Sequence, residues 1–233
     1  MEDINSWESK FEFCSYSTKL LEKIESLNKQ VRQKVDINEV KKAIYYARKY
    51  HSTQMRQSGE PYYSHPLEVA YMFAEYTASE ANKYYKTDLV VTSILHDTIE
   101  DTVLTEGVIL DIFGRKVASQ VEDLTRVKAY GKISSAEIIK NLFLQEKHAV
   151  AIIKLFDRIH NLKNLGIKSP EKARKIIEET ATYFIVLALY LESPIIKQQI
   201  IDLCYQNMDI KWSPPQKKGL IFQDNFRLPS LIL

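Results

Sequence analysis

The sequence predicts an all-α fold, and its composition carries that prediction. The 233 residues include only 6 glycines and 7 prolines, too few for the turns of a many-stranded sandwich or barrel. Good helix formers fill long stretches, in which apolar residues recur at the spacing of three and four that amphipathic helices require. With 45% apolar and 27% charged residues, the chain has the composition of a globule with a real core. Its length suits one large domain.

The apolar pattern divides the chain into three regions. Helical spacing from Ser6 to Val35 predicts a helical flank over residues 1–35. The long helical stretches that follow predict one domain over residues 36–208. Prolines then interrupt the pattern, which predicts a C-terminal tail over residues 209–233.

Residues that begin and end helices are recognisable early in the predicted domain. Asp36 and Asn38 are good N-cap residues, so a helix should begin at one of them and end near His51. A glycine and a proline lie close together in the next segment, and they predict a loop over residues 54–61.

The helical periodicity continues through most of the remaining domain. A loop is predicted over residues 128–134, and Pro170 is well placed in the first turn of a helix. No stretch alternates well enough to predict a sheet. The predicted helices cover residues 64–78, 88–100, 115–127, 134–147, 148–165, 170–191 and 194–207.

Charge and hydropathy argue against large polyanionic partners and against membranes. The formal net charge is only +2, so no strong field attracts nucleic acid or anionic lipid. The longest apolar run, Tyr183 to Leu191, is far shorter than the roughly 20 residues that cross a bilayer. Residues 1–10 lack the pattern of a secretory signal. We therefore expect a cytoplasmic protein that binds neither nucleic acid nor membrane.

Four ionisable residues lie together in an otherwise apolar helical stretch: His96, Asp97, Glu100 and Asp101. On one helix, His96 and Glu100 are a turn apart, and so are Asp97 and Asp101. Carboxylates crowded at the end of a buried helix repel each other unless a cation or a proton joins them. The cluster therefore predicts a divalent metal, the alternative being an acidic helix end that faces water.

Two further segments strengthen the metal prediction. Asp157 follows the apolar residues 149–153, and an isolated carboxylate in such a helix would be destabilising. His65 is fixed at the start of a helix by Pro66. Considered alone, His65 fits a capping or packing role better than a ligand role, so its assignment depends on the other motifs.

Together these motifs resemble the HD phosphohydrolase superfamily and, within it, the hydrolase domain of the RelA/SpoT homologues. The similarity covers roughly residues 40–191. Several motifs in the same order are far more specific than one His-Asp pair. They are RQSGEPY at 56–62, HPLEVA at 65–70, ILHDTIEDT at 94–102 and KLFDRIHNL at 154–162.

The resemblance implies an HD-domain helical bundle with a hydrolase activity. The expected enzyme is a guanosine-3′,5′-bis(diphosphate) 3′-pyrophosphohydrolase, which converts guanosine tetra- or pentaphosphate to GDP or GTP and pyrophosphate. The metal ligands would be His65, His96, Asp97 and Asp157, and the usual metal is Mn²⁺. Two imidazoles and two carboxylates suit that ion on chemical grounds as well.

The resemblance also implies roles for residues around the metal. Glu100 and Asp101 would position or deprotonate the attacking water and protonate the leaving oxygen, and which of them is the base stays open. Arg56 would lie over the guanine ring. Lys154 and Arg158 are either phosphate ligands or structural charges beside Asp157. The candidate substrate contacts are Arg56, Gln57, Ser58, Lys154, Arg158 and Asn161.

Departures from the family pattern leave the substrate less certain than the chemistry. Gln57 replaces the usual lysine, Phe156 an alanine and Asn164 a threonine, while Leu189 and Tyr190 replace Asn-Arg. We expect a stand-alone hydrolase, with its oligomeric state open. The alternatives are an HD phosphohydrolase for another nucleotide, such as an adenosine alarmone or NADPH, and an inactive nucleotide-binding module that binds a partner protein.

Overall fold

The computed structural model describes residues 6–128 and 131–211, and helices dominate both ranges. The predicted all-α fold is therefore confirmed. The predicted tail over residues 209–233 begins inside the last helix, and beyond residue 211 it lies outside the described residues. Within the described ranges, no helix is long and apolar enough to cross a membrane.

The helices are numbered here in chain order. Short 3₁₀ segments follow α4 and α9, and a π-helical segment joins α10 to α11. The α-helices are α1 (Trp7–Lys10), α2 (Ser15–Asn28), α3 (Ile37–His51), α4 (Ser64–Ser79), α5 (Thr87–Leu95), α6 (Thr98–Asp101), α7 (Glu106–Leu124), α8 (Ser135–Leu144), α9 (His148–Lys163), α10 (Pro170–Glu179), α11 (Ile185–Tyr190) and α12 (Pro194–Lys211).

Helix α3 has the boundaries that its sequence predicts. The carboxylate of Asp36 accepts hydrogen bonds from the backbone N–H groups of Asn38 and Glu39, at 2.8 and 3.3 Å. These bonds satisfy two of the amides that a helix leaves unpaired at its start. The helix ends at His51, and the predicted loop follows.

The core lies around α4, which packs against α2, α5 and α9. Helix α9 is buried along most of its length, and α5 is buried from Leu89 to Leu95. Leu20, Leu21 and Ile24 of α2 belong to the same apolar cluster as α3 and α4. The N-terminal flank thus shares the core of the domain, while the boundary predicted between residues 35 and 36 stays a prediction.

Helix boundaries at the N-terminus and in the middle of the chain differ from the prediction. The flank is two helices, because α1 ends at Lys10 and α2 begins at Ser15. Helix α7 begins at Glu106 and bends at Gly114, where φ is +83° and ψ is 168°. Only glycine adopts that backbone conformation readily. The helix predicted over residues 115–127 begins directly after this kink, whereas α7 begins at Glu106.

The prediction that the chain has no strands was also wrong in one place. Val127–Lys128 (β1) pairs with Gly131–Lys132 (β2) in a short antiparallel ladder where a loop was predicted. Two-residue strands are too short to show an alternating pattern. The predicted helix over 170–191 is likewise interrupted, by a single π-helical turn. Such a turn disturbs the apolar spacing too little for periodicity to predict it.

Candidate metal centre

Three core helices bring the predicted metal ligands together. His65 lies in the first turn of α4, His96 directly follows α5, and Asp157 lies just past the middle of α9. One ligand atom from each of these three side chains lies within 4.8 Å of the other two. Both histidines are only 2% exposed, and Asp157 is 7% exposed.

Asp97 completes the cluster from the edge of the core. His65 Nε2 lies 3.2 Å from an oxygen of Asp97 and 3.2 Å from Oδ1 of Asp157. His96 Nε2 lies 3.0 Å from Oδ1 of Asp97 and 3.8 Å from Oδ1 of Asp157. All four side chains that the sequence nominated as ligands therefore converge on one point, and their role as ligands stays a prediction.

A break in the helix directs His96 and Asp97 toward that point. The prediction of one continuous helix over residues 88–100 was therefore wrong. Helix α5 ends at Leu95, and α6 begins only at Thr98, whose hydroxyl donates to the carbonyl of Leu95 at 2.6 Å. His96 and Asp97 therefore lie between two helices, although the backbone N–H of Asp101 still donates to the carbonyl of Asp97 at 2.9 Å, one turn away. A local side-chain bond of this kind competes with the helical pattern, which is why periodicity did not predict the break.

The state of the His96 ring fits a metal. Its Nδ1 lies 2.9 Å from the carbonyl oxygen of Ser93, which can only accept, so Nδ1 carries the hydrogen. In the neutral ring, Nε2 then offers a lone pair to the cluster. This buried nitrogen has no hydrogen-bond partner among the described residues. An orphaned imidazole nitrogen facing two carboxylates is the donor set that a borderline divalent cation requires.

The charges in the cluster require a cation as well. Burial lowers the pKa of His96, but the charges of Asp97 and Asp157 outweigh it and raise that pKa to about 10. Burial raises the pKa of Asp157, yet Lys154 and both histidines hold it well below its usual range. The two carboxylates are thus ionised, and they attract a proton to His96 when no other cation is present.

Lys154, Arg158 and Asn161, three of the predicted substrate contacts, line the cavity over the cluster and also contact protein side chains. Lys154 Nζ lies 2.9 Å from Asp157 Oδ2, and the amide of Asn161 donates to Asp157 Oδ1 at 2.7 Å. Arg158 donates to Glu179 at 2.5 Å and packs over the ring of Phe184. Lys154 thus lies beside Asp157, as the structural alternative describes, while Arg158 pairs with Glu179, and their contact with substrate stays a prediction.

Glu100 forms an ion cluster that sequence analysis missed. Arg126 Nε and Nη2 donate to its Oε1 at 3.0 and 2.7 Å, and Lys132 Nζ lies 3.0 Å from the same oxygen. Burial raises the pKa of Glu100, but the hydrogen bonds from Arg126 and Lys132 outweigh it and lower that pKa. Arg126 directly precedes β1 and Lys132 lies in β2, whereas the sequence predicted a helix through residue 127 and a loop over residues 128–134.

Asp101 has different surroundings, although it is the next residue. The hydroxyl of Tyr62 donates to its carboxylate, and Gln54 Nε2 donates to its backbone carbonyl at 2.8 Å. His51, another residue that the sequence analysis did not nominate, stacks on Tyr62 with ring centroids 4.7 Å apart. Burial and the charge of Asp97 raise the pKa of Asp101.

A cavity of about 630 Å³ opens over the cluster. Glu100 and Asp101 line it near the metal ligands, while Arg56, Gln57 and Lys168 line it as well. Ser58 is not among the lining residues, and its hydroxyl donates to Glu60 at 3.1 Å. The predicted role of Ser58 in binding substrate therefore gains no support from its position.

Cations gather in the part of the cavity that Gln57 lines. Lys168 Nζ donates to Gln57 Oε1 at 2.6 Å. Burial, Lys172 and Arg56 lower the pKa of Lys168, in that order. Lys168, from the segment before α10, thus places a positive charge beside Gln57, where the family pattern led us to expect a lysine. The two residues are 111 positions apart, so the sequence alone does not reveal this contact.

Comparison with known proteins places these observations in a family. A model of the HD domain matches residues 43–191. A GTP pyrophosphokinase rsh of Brucella ovis is 34% identical over 195 residues, which are 80% of this chain and 25% of that protein. A guanosine-3′,5′-bis(diphosphate) 3′-pyrophosphohydrolase of Aquifex aeolicus is 35% identical over 171 residues, 72% of this chain and 24% of that protein.

The chain spans about a quarter of the length of these curated relatives. A solved structure described as a metazoan ortholog of SpoT that hydrolyzes ppGpp has a TM-score of 0.51 and 18% identity. That alignment covers 72% of this chain and 94% of the solved one, and it supports the same helical fold. The family predicted from the motifs is confirmed: the chain belongs to the HD domain family.

Proposed function

We propose that the chain hydrolyses the 3′-diphosphate of guanosine tetra- and pentaphosphate, with Mn²⁺ as its metal. The observation that carries the proposal is the convergence of His65, His96, Asp97 and Asp157 at one side of a cavity that is otherwise rich in cations. The name of the Aquifex relative, a guanosine-3′,5′-bis(diphosphate) 3′-pyrophosphohydrolase, supports the same chemistry.

The four converging side chains would hold the ion. Two imidazole nitrogens and two carboxylates balance a dication and suit Mn²⁺ better than Ca²⁺. A divalent metal supplies Lewis-acid chemistry, since it polarises a phosphoryl oxygen and makes water more acidic. Lys154 and Asn161 hold Asp157 in place through both of its oxygens.

In the proposed reaction, a water oxygen attacks the phosphorus attached to the ribose 3′ oxygen. The bond between that phosphorus and the 3′ oxygen breaks, the 3′ oxygen gains a proton, and pyrophosphate leaves with the water oxygen. The remaining nucleotide is GDP or GTP.

Asp101 is the better candidate for handling the protons. Burial and the charge of Asp97 raise its pKa, which favours proton uptake and release more than the lowered pKa of Glu100 does, while the bond from Tyr62 holds its carboxylate in place. Glu100 forms ion pairs with Arg126 and Lys132, so it stays ionised. We therefore assign Glu100 a positioning role, in which it holds these two cations at the cavity for the negative charge of the substrate.

The remaining cations of the cavity fit a substrate with phosphates at two positions. Arg56 lies 5.9 Å over the ring of Tyr62, so its guanidinium is presented as a flat face for a base or as a phosphate ligand. Lys168 and Lys172 would meet the second phosphate group. Because other nucleotides also carry two phosphorylated positions, an HD hydrolase for an adenosine alarmone or NADPH is the second candidate.

Incubation of the purified protein with Mn²⁺ and each nucleotide, followed by anion-exchange separation of the products, tests the proposal. We expect GDP or GTP with pyrophosphate from the guanosine alarmones, and loss of turnover in chelator. Orthophosphate as the main product would contradict attack at the phosphorus next to the ribose. Preferred turnover of NADPH or the adenosine alarmone would favour the second candidate. Tight nucleotide binding without any turnover would indicate the inactive module.

A further inference from the structure

We infer that His160 is a positioning residue for the metal centre, because it accepts a hydrogen bond from His65 and so turns the lone pair of that ring toward the ion. The inference rests on the proposed metal site and goes beyond its four ligands. His160 lies in α9, one turn after Asp157, and is 8% exposed. The family motif contains this histidine, but sequence analysis gave it no role.

The contact joins two ring nitrogens. Nδ1 of His65 lies 2.9 Å from Nδ1 of His160, and the ring centroids are 4.6 Å apart with an interplanar angle of 61°. Two protonated nitrogens would repel at this distance, and so would two lone pairs. One of the two nitrogens therefore donates and the other accepts.

The direction of the bond follows from the opposite side of the His65 ring. Nε2 of His65 faces Asp97 and Asp157 at 3.2 Å, so Nε2 is the nitrogen that would bind the ion. A neutral imidazole that uses Nε2 as a ligand carries its hydrogen on Nδ1. His65 is then the donor and His160 the acceptor, with the hydrogen of His160 on its own Nε2.

Asn164 supports the same assignment independently. Its Nδ2 donates to the backbone carbonyl of His160 at 3.0 Å, a bond that fixes which end of the amide is the nitrogen. The same Nδ2 lies 3.5 Å from Nδ1 of His160. Both groups that approach this Nδ1 are therefore donors, which suits an acceptor.

The arrangement gives the two histidine ligands equivalent support. Nδ1 of His96 donates to the backbone carbonyl of Ser93, while Nδ1 of His65 donates to the side chain of His160. Such partners fix the tautomer and the orientation of a ligating ring, and their loss usually weakens metal binding by about 10- to 100-fold. Of the two supports, only His160 can be removed by substitution.

Three variants test the role of the acceptor. His160→Leu removes it, whereas His160→Asn offers Oδ1 near the former position of Nδ1. His148→Leu is the matched control, because His148 begins the same helix far from the metal ligands and contacts Tyr190 instead. Mn²⁺ affinity is measured by the EPR signal of the free ion, and folding of each metal-free variant by circular dichroism.

We expect His160→Leu to weaken Mn²⁺ binding by about 10- to 100-fold, with His160→Asn and His148→Leu within about threefold of the parent. Unchanged affinity in a folded His160→Leu protein would overturn the inference. So would an Asn variant that is folded and as weak as the Leu variant.

A spectroscopic test covers the case in which His160→Leu does not fold. In the parent protein loaded with diamagnetic Zn²⁺, ¹⁵N chemical shifts report which nitrogen of each ring carries hydrogen. We expect hydrogen on Nδ1 of His65 and on Nε2 of His160, and the reverse pattern would overturn the inference. A parent that binds the ion without hydrolysing any nucleotide would refute the proposed function and leave this test intact.

Discussion

At the scale of single residues, Glu100 and Asp101 show how two adjacent carboxylates acquire different roles. Glu100 faces two cations, so it stays ionised and rigidly held. Burial and the charge of Asp97 raise the pKa of Asp101, although the hydrogen bond from Tyr62 opposes that rise. The two carboxylates differ because their neighbours in the folded chain differ. A sequence motif that contains both residues side by side does not show those neighbours.

Exchange of each carboxylate for its amide tests this assignment. Asp101→Asn removes the group that moves protons, so we expect kcat to fall by about 10² or more while Mn²⁺ is retained. Glu100→Gln leaves Arg126 and Lys132 without their anion, so its main effect should be a raised KM. Steady-state kinetics of pyrophosphate release and bound-metal content measure both effects. A larger loss of kcat in Glu100→Gln than in Asp101→Asn would reverse the two roles.

The contact between Lys168 and Gln57 gives a second prediction. Lys168→Gln removes a positive charge from the cavity, so KM for a polyanionic substrate should rise several-fold and depend less on salt, with kcat little changed. Gln57→Lys should gain little, because the new charge would lie beside Lys168. Lys175→Gln is the control, since Lys175 pairs with Glu171 at the surface. Equal KM values for Lys168→Gln and Lys175→Gln would show that Lys168 does not meet the substrate.

The residues that the sequence identified and those it missed differ in a physical respect. His96 and Asp97 stand out in the sequence because charged residues interrupt an apolar stretch, and such an interruption can be recognised from the sequence alone. The contacts of His160 and Lys168 are long-range, with separations of 95 and 111 positions from their partners. Nothing near either residue in the sequence signals the partner, so only the folded chain reveals it.

At the scale of secondary structure, the kink of α7 depends on one residue. Gly114 has φ +83° and ψ 168°, a region that residues with a Cβ atom rarely adopt. A Cβ built there meets no atom within 4 Å, so any loss of stability comes from the backbone alone.

We expect Gly114→Ala to destabilise the fold by about 1–3 kcal/mol without changing Mn²⁺ affinity. Gly107→Ala in the same helix has no positive φ and should be neutral or slightly stabilising. Urea unfolding of the two metal-free variants measures the difference. Equal midpoints would mean that α7 tolerates a straight path through position 114.

Helix prediction succeeded where burial imposes a repeating pattern, as in α3, α4 and α9. It failed where one or two residues decide the backbone, at the break after Leu95 and in the β1–β2 ladder. The break after Leu95 matters most for the site, because it separates the metal ligands from Glu100 and Asp101. A sequence pattern averaged over a turn cannot resolve it.

At the scale of the whole molecule, the metal centre and the apolar core share the same elements. Helices α4, α5 and α9 form the middle of the core, and the proposed ligands lie in α4, in α9 and directly after α5. A bound ion would therefore join the helices that unfolding separates. Without it, the buried carboxylates of the cluster repel each other, so the site opposes folding unless a proton or a metal compensates.

This coupling predicts that Mn²⁺ raises the melting temperature of the whole domain rather than ordering one loop. An ion that binds only the folded chain stabilises it by about 2.7 kcal/mol at a concentration of 100 Kd. We expect a single cooperative calorimetric transition whose Tm rises with Mn²⁺ and returns to its starting value in chelator. Asp157→Asn removes one charged ligand, so its Tm should respond to Mn²⁺ far less than that of the parent. An equal response in both proteins would place the stabilising ion outside the cluster of His65, His96, Asp97 and Asp157.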